Sequence, residues 1–400
     1  MDLRTDYPYW LLRHGIIRSY PSLDHHVTTD IAIMGGGISG ALAAWYLVHA
    51  GFSVIVVDRR HIAMGSTAAS TSLLQYEIDI PLHDLIKKVG EKKAVRSYIL
   101  CRDAIRTLRG IADKLEVKDL LTIKPSLQFA SYLKHIRPLQ KELILRKKAG
   151  ISIGWLDEKE IQEKYGFSGH GGILSEDGAD CDAYQLTHSL LQKCAAWGLK
   201  VFDHTEIIKI RHEKKGVELC TGDGKKIKAR KLIIACGYES QRYIPKKVQE
   251  LKSTFVIVSE PHQQNKLWYK NSLIWETKTP YLYLRTTTDN RIIVGGKDIS
   301  SSDPVLRDRL LPAKSKSLER SFAQLFPVIP FRTDFRWAGS FGHTKDGLPY
   351  IGIIRQRPHT HFALGLGGNG IIFSVIAAEI VCDILKGKKN EDAEIFSFDR

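Results

Sequence analysis

The chain has 400 residues, 43% hydrophobic and 26% charged, a balance that fits a globular protein of two or three units and excludes a disordered or fibrous one. Its 59 Lys and Arg against 44 Asp and Glu leave a formal charge of +15, scattered in short clusters such as Arg146-Lys147-Lys148; this reads as a solvated basic surface, with attraction of an anionic ligand as the alternative. Six cysteines (101, 181, 194, 220, 236, 382) form no C-x-x-C pair and no metal spacing with histidine, so the expectation is a reduced, cytoplasmic protein with no metal site.

Met1 to Pro21 carries Asp2, Arg4, Asp6, Arg13 and Arg18 and no apolar core of signal-peptide length. Residues 1–29 are read as a flank, with His25-His26 on the surface. Ile31 to Met34 is an apolar run; a glycine cluster follows, then Ala41 to Ala50 with helix-forming composition, ended by Gly51. A second β-branched run, Val54 to Val57, ends at Asp58. Strand, turn, helix and strand within about 30 residues is the length of a βαβ unit. Residues 81–110 read as helical, with Leu82, Leu85, Ile86 and Val89 on one face. Residues 126–133 and 171–177 are short strands, 183–197 a helix and 200–210 a strand.

Val217 to Cys220, the turn Gly222-Asp223-Gly224 and Lys226 to Lys228 give a hairpin signal that leads into a buried strand at 231–235. The region 253–296 is strand-rich, with 281–285 and 291–294 joined by a turn at Asp289-Asn290. Residues 301–325 are helical, and 331–373 alternates short strands with glycine turns. The longest apolar stretch, Ile371 to Leu385, is interrupted by Glu379 and Asp383 and is shorter than a membrane span, so it is read as a buried helix. This order predicts an α/β fold, α+β overall. A discontinuous Rossmann-like domain at 30–115, 178–240 and 330–400 is interleaved with an antiparallel-sheet substrate domain at 116–177 and 241–329.

Gly35-Gly36-Gly37-Ile38-Ser39-Gly40 satisfies G-x-G-x-x-G between the first strand and the helix. Gly35 permits the tight turn, Gly37 lets a pyrophosphate approach the backbone, and Gly40 lets helix and sheet pack closely. Helix N-terminal amides, including those of Ile38 and Ser39, then stabilise phosphate charge. Asp58 lies 18 residues past Gly40, where an acid accepts hydrogen bonds from ribose hydroxyls. The motif alone does not separate FAD from NAD.

Further segments do. Ile31 to Asp58 with Gly65-Ser66-Thr67-Ala68-Ala69-Ser70-Thr71 resembles the opening of the D-amino-acid oxidase superfamily of flavoproteins, which includes glycine oxidase, sarcosine oxidase and γ-glutamylputrescine oxidoreductase. Lys231 to Gly237 resembles the family's "ATG" strand, with Cys236 where threonine is usual. Trp337 to Gly352 resembles W-x-G-x-x-x-x-T-x-D-x-x-P-x-I-G, and Gly365 to Ile371 resembles the C-terminal glycine loop. Tyr9-Trp10, Tyr283-x-Arg285 and Arg291 to Gly296 look most like the γ-glutamylputrescine oxidoreductase branch.

The resemblance implies FAD as cofactor. Its contacts would be Gly35, Gly37, Ile38, Ser39, Gly40, Asp58, Arg59, Arg60, Gly65, Ser66, Thr67, Ser70, Thr71 and Ser72, then Ile207, Cys236, Gly237, Gly339 and Gly342, and last Gly367, Gly368, Asn369, Gly370 and Ile371. Sarcosine oxidase tethers its flavin through a cysteine near the position of Gly339, so non-covalent FAD is expected here. Where glycine oxidase carries an arginine for the substrate carboxylate this chain has Phe341, and where sarcosine oxidase carries one it has Gln75. Arg285 could replace them or form a structural salt bridge. His343 could tune the flavin or only brace its turn, and Tyr281 and Tyr283 could wall the active site or simply pack. The oxygen-activating lysine of sarcosine oxidase falls on Ile293 or Val294.

The activity implied is oxidation of an amine or N-substituted amino acid, which the basic charge allows to be anionic, by hydride transfer to flavin N5 to give an imine, with O₂ or another electron acceptor. The alternatives are oxidation of a 2-hydroxy acid or glycerol phosphate, a reaction on modified tRNA, and a flavin-binding redox sensor without catalysis. No nucleic-acid partner or membrane span is expected; monomer and homo-oligomer stay open.

Overall fold

A computed structural model describes residues 2–263 and 267–400. Two large sheets organise them. The first has eight strands, and five of these run parallel: Lys200–Phe202, Val54–Val57, Val27–Met34, Lys226–Ile234 and Thr360–Leu364, in that spatial order. Such strands are covered on both faces and read as continuous apolar runs, as Val54-Ile55-Val56-Val57 does. The covering helices include Ile38–His49, Ala183–Ala196 and Gly370–Leu385. The last of these is buried along most of its length, as its composition predicts.

The second sheet has ten strands and is antiparallel except where Leu273–Glu276 pairs in parallel with Leu121–Phe129. Its outer face packs on the amphipathic helix Pro304–Leu325 through Leu311, Leu318 and Phe322. The chain crosses between the sheets several times. Thr333–His343, placed from sequence on the nucleotide side, pairs instead along Glu250–Ser259 in the ten-stranded sheet. Gly172–Cys181 runs across the boundary set at 178, because it pairs throughout with Leu121–Phe129 and ends against the cofactor loop.

Residues 1–29 are more than a flank. Arg4–Thr5 adds an edge strand opposite Gly339 and Ala338, and Tyr9 and Trp10 are buried in the helix Tyr9–His14. His25 and His26 are exposed, as expected. The helix expected at 81–110 is two, Leu82–Val89 and Glu91–Lys114, because Gly90 takes φ 85° between them. The strand expected at 200–210 breaks at His204, φ 43°, into Lys200–Phe202 and Ile207–Glu213. Among the described residues no helix is long and apolar enough to cross a membrane.

Candidate active site

Gly35 ends the first strand at φ 113°, and its N–H donates to the Val57 carbonyl at 2.8 Å. A Cβ there would lie 2.4 Å from the Ala235 carbonyl oxygen, so only glycine allows the two parallel strands to end this close together. At Gly40 a Cβ would meet the Gly35 oxygen at 1.9 Å; this glycine serves the contact between turn and helix and does not line the cavity. Asp58 accepts from Gly36 N at 2.7 Å and Arg60 N at 2.8 Å. Burial raises its carboxyl pKa while these two donors oppose the rise. Arg59 and Arg60 both pair with Glu239.

The small-residue loop is held from four sides. Thr67 Oγ1 accepts from Ile38 N at 3.0 Å, tying it to the opening of the helix Ile38–His49. Trp10 Nε1 donates to Ser70 O at 2.7 Å and Trp337 Nε1 to Ala69 O at 2.9 Å. Arg285, 3% exposed, donates to the carbonyls of Thr71 and Ser72 and of Cys181 at 2.8–3.1 Å, and pairs with Asp180. Its guanidinium is spent on backbone and does not line the cavity. The structure therefore removes Arg285 as a replacement carboxylate anchor and makes it a clamp of the loop.

A cavity of about 520 Å³ runs through this region. It is lined by Gly35, Gly37, Ile38, Ser39, Asp58, Arg59, Arg60, Gly65, Ser66, Thr67, Ser70, Thr71 and Ser72, by Ile207, Cys236, Gly237 and Gly339, and by Gly367, Gly368, Asn369, Gly370 and Ile371. Gly342 stays outside it: a Cβ there would lie 2.5 Å from Gln249 Oε1, so its smallness serves packing behind the wall. His343 also falls outside, at the end of Thr333–His343 opposite Glu250; burial, with Lys252 nearby, lowers its pKa and keeps the ring neutral.

The helices Ile38–His49 and Gly370–Leu385 both begin on the cavity, and neither has an N-cap side chain that accepts a helix amide. Ser39 Oγ and Ser374 Oγ join them at 2.7 Å. Asn369 turns away from capping and donates to the carbonyls of Gln75 and Glu77. Ser66 Oγ and Ser72 Oγ, on residues that line the cavity, are buried without a hydrogen-bond partner among the described residues. Two amide-rich helix ends, orphaned hydroxyls and a glycine-lined approach fit the pyrophosphate and the polar ring edge of a flavin nucleotide.

Beyond the glycine loops the cavity opens into a chamber walled by Phe341, Tyr281, Tyr283 and Trp275. Tyr281 and Tyr283 are 5.8 Å apart by ring centroid, and a Cβ on Gly295 would lie 2.2 Å from Tyr283 Cζ, so that glycine makes room for the ring. Residues that the sequence reading missed complete the chamber: Glu77, Asp79, Tyr238, Thr254, Lys278 and Asp298. Burial pushes the Asp298 carboxyl up to about 6, against the Thr254 hydroxyl beside it. Ile293, one of the two positions matched to the oxygen-activating lysine, is fully buried and outside the lining.

Residues 30–384 match the FAD dependent oxidoreductase family, DAO. The chain belongs to this family. It is 24% identical over 390 residues to γ-glutamylputrescine oxidoreductase of Escherichia coli, covering 94% of this chain and 87% of that protein. It is 24% identical over 387 residues to glycine oxidase of Geobacillus kaustophilus, covering 93% and 97%. A crystal structure of glycine oxidase from the same organism superposes with a TM-score of 0.77 at 21% identity, covering 93% of this chain and 98% of that one. The protein is an FAD-dependent oxidoreductase, and its fold is that of glycine oxidase.

Proposed function

We propose that this oxidoreductase dehydrogenates an amine or N-substituted amino acid at the carbon bearing nitrogen, yielding an imine that water then hydrolyses. FAD, held without a covalent bond, supplies the two-electron acceptor when bound. One observation carries the reading: a single cavity joins the glycine-lined cradle to the aromatic chamber, so a substrate in the chamber lies against whatever the cradle presents. Gly35, Gly37, Ser39 and Asp58 would hold the nucleotide, and the helix starting at Gly370 would set positive potential at the ring edge. Tyr281, Tyr283, Trp275 and Phe341 exclude water and orient the substrate. The similarity to γ-glutamylputrescine oxidoreductase and glycine oxidase supports nitrogen-bearing substrates. Commitment of Arg285 to backbone carbonyls takes away the arginine that a carboxylate or phosphate would seek, which counts against a 2-hydroxy acid or glycerol phosphate and, within the proposed class, favours a plain amine over an N-substituted amino acid.

The test is anaerobic bleaching of the yellow protein by a panel of amines, N-methyl amino acids, polyamines and hydroxy acids. Bleaching by nitrogen compounds alone is the expected outcome, and readmitting air separates use of O₂ from another acceptor. Bleaching by hydroxy acids only would overturn the proposal.

A further inference from the structure

The chamber carries a charge pattern that the family resemblance did not foretell. The lining of its substrate half contains the carboxylates Glu77, Asp79, Glu142, Glu276 and Asp298, against one lysine, Lys278; Glu142 is held by Arg146 at 2.9 Å. They are not equivalent. Glu276 is satisfied, accepting from Leu282 N and Ser131 Oγ at 3.0 Å. Asp79 is exposed and accepts from Gly368 N at 3.1 Å. Glu77, 5% exposed, pairs with Arg146 through Oε1, but its Oε2 is buried without a partner among the described residues. Asp298 Oδ1 is likewise buried without a partner. Beside it stand the Thr254 hydroxyl and the Tyr281–Tyr283 pair, whose ring faces attract cations.

A backbone irregularity puts Asp298 there. Ser253 pairs with Ile299 and Phe255 with Gly296, so Ile292–Ile299 holds one residue more than its partner strand. Gly296 and Lys297 absorb it at φ 138° and 59°. Strict alternation would send Lys297 to the face of Ile293 and Gly295; the bulge sends Asp298 instead.

We infer that Asp298 is the counter-ion that captures the ammonium group of a cationic amine substrate, which passes one proton to this carboxylate or to water before hydride leaves its α-carbon, and that the site selects such amines over compounds anchored by a carboxylate. This rests on the amine-oxidation reading above. A half-buried carboxylate with one buried, unpartnered oxygen is costly, and an arriving ammonium relieves that cost while supplying the missing donor. The upward displacement of its pKa to about 6 shows the same penalty while leaving the group ionised at neutral pH.

The experiment uses the FAD-loaded protein and its Asp298→Asn and Asp298→Glu variants, titrated anaerobically with n-butylamine, 1,4-diaminobutane, N-methylglycine and butyrate while the flavin absorption is followed. The expected result is that the two simple amines perturb or bleach the flavin at lower concentrations than N-methylglycine or butyrate. Asp298→Asn raises their half-saturation tenfold or more with unchanged FAD content, and Asp298→Glu restores part of the loss. Tighter response to butyrate or N-methylglycine, or half-saturation within twofold in Asp298→Asn, overturns the inference; so does absence of any response to amines. If amines perturb the spectrum in an Asp298-dependent way yet never bleach it, the anchor stands and amine oxidation falls. Should Asp298→Asn fold poorly, the Asp298→Glu titration and the order of the four probes on the unaltered protein decide.

Discussion

Asp58 has two duties in one carboxylate. Each oxygen accepts a backbone N–H, Gly36 on the turn and Arg60 beyond the strand, and the same group faces the cavity where ribose hydroxyls would sit. Asp58→Asn leaves an amide that can accept through one oxygen only and points a donor at a donor. We expect FAD affinity to fall at least tenfold, read as release of fluorescent flavin on dilution; unchanged affinity would show that the turn holds its shape unaided. Gly295 makes a second case. Alanine there would put a carbon inside the Tyr283 ring, so Gly295→Ala should displace the aromatic wall and depress kcat/KM tenfold or more while FAD content stays full. Retained turnover at full FAD content would remove Tyr283 from the site. These residues differ in how far the sequence exposes them. Asp58 follows a fixed spacing from a glycine motif and is legible in one pass. Asp298 is not, because its direction depends on a bulge that no alternation rule contains.

The loop Gly65 to Ser72 shows the same contrast among elements. Its small residues mark it, yet its rigidity comes from Trp10, Trp337 and Arg285, which are remote in sequence and aimed at its carbonyls. A clamp and a substrate anchor make opposite predictions for Arg285→Met. A clamp predicts that FAD binding and thermal stability fall, by about 2–4 kcal/mol for a buried charged donor lost from several carbonyls, with KM ratios between carboxylate-bearing and plain amines preserved. An anchor predicts that the ratio collapses while FAD binding holds. Stability measured with and without FAD, together with KM for both substrate kinds, decides between them. Regular elements were legible where period and punctuation agreed, as in Val54–Val57 and Gly370–Leu385. The helix Ile136–Lys148 carries Pro138 in its first turn, where a proline lacks only an N–H that has no partner there, so the residue that interrupts the apolar period does not interrupt the helix. Glu158–Tyr165 carried a readable signal, the capping box between Asp157 and Glu160.

At the scale of the whole molecule, the two-sheet architecture buries histidines that serve neither cofactor nor substrate. His188, 1% exposed on the helix Ala183–Ala196, has no hydrogen-bond partner for either ring nitrogen among the described residues, and burial lowers its pKa from 6.5 to about 4. His361, 2% exposed on the strand Thr360–Leu364, is lowered to about 4 by burial and by Lys231. Both rings are neutral in the folded chain and take up protons near pH 6.5 once unfolded. Between those values the unfolded state binds more protons, so stability is lost as pH falls from about 6.5 towards 4. At up to about 1.4 kcal/mol per pH unit for each ring, and half that slope at pH 6.5, the pair costs about 3 kcal/mol between pH 6.5 and pH 5. Replacing both with phenylalanine keeps a planar aromatic ring, somewhat larger, and removes the protons. The double variant His188→Phe/His361→Phe, loaded with FAD, should therefore gain thermal stability relative to the parent as pH drops from 7 to 5, by most of that amount. Melting curves that move in parallel over this range would mean that the two rings reach water more readily than their burial between sheet and helices allows.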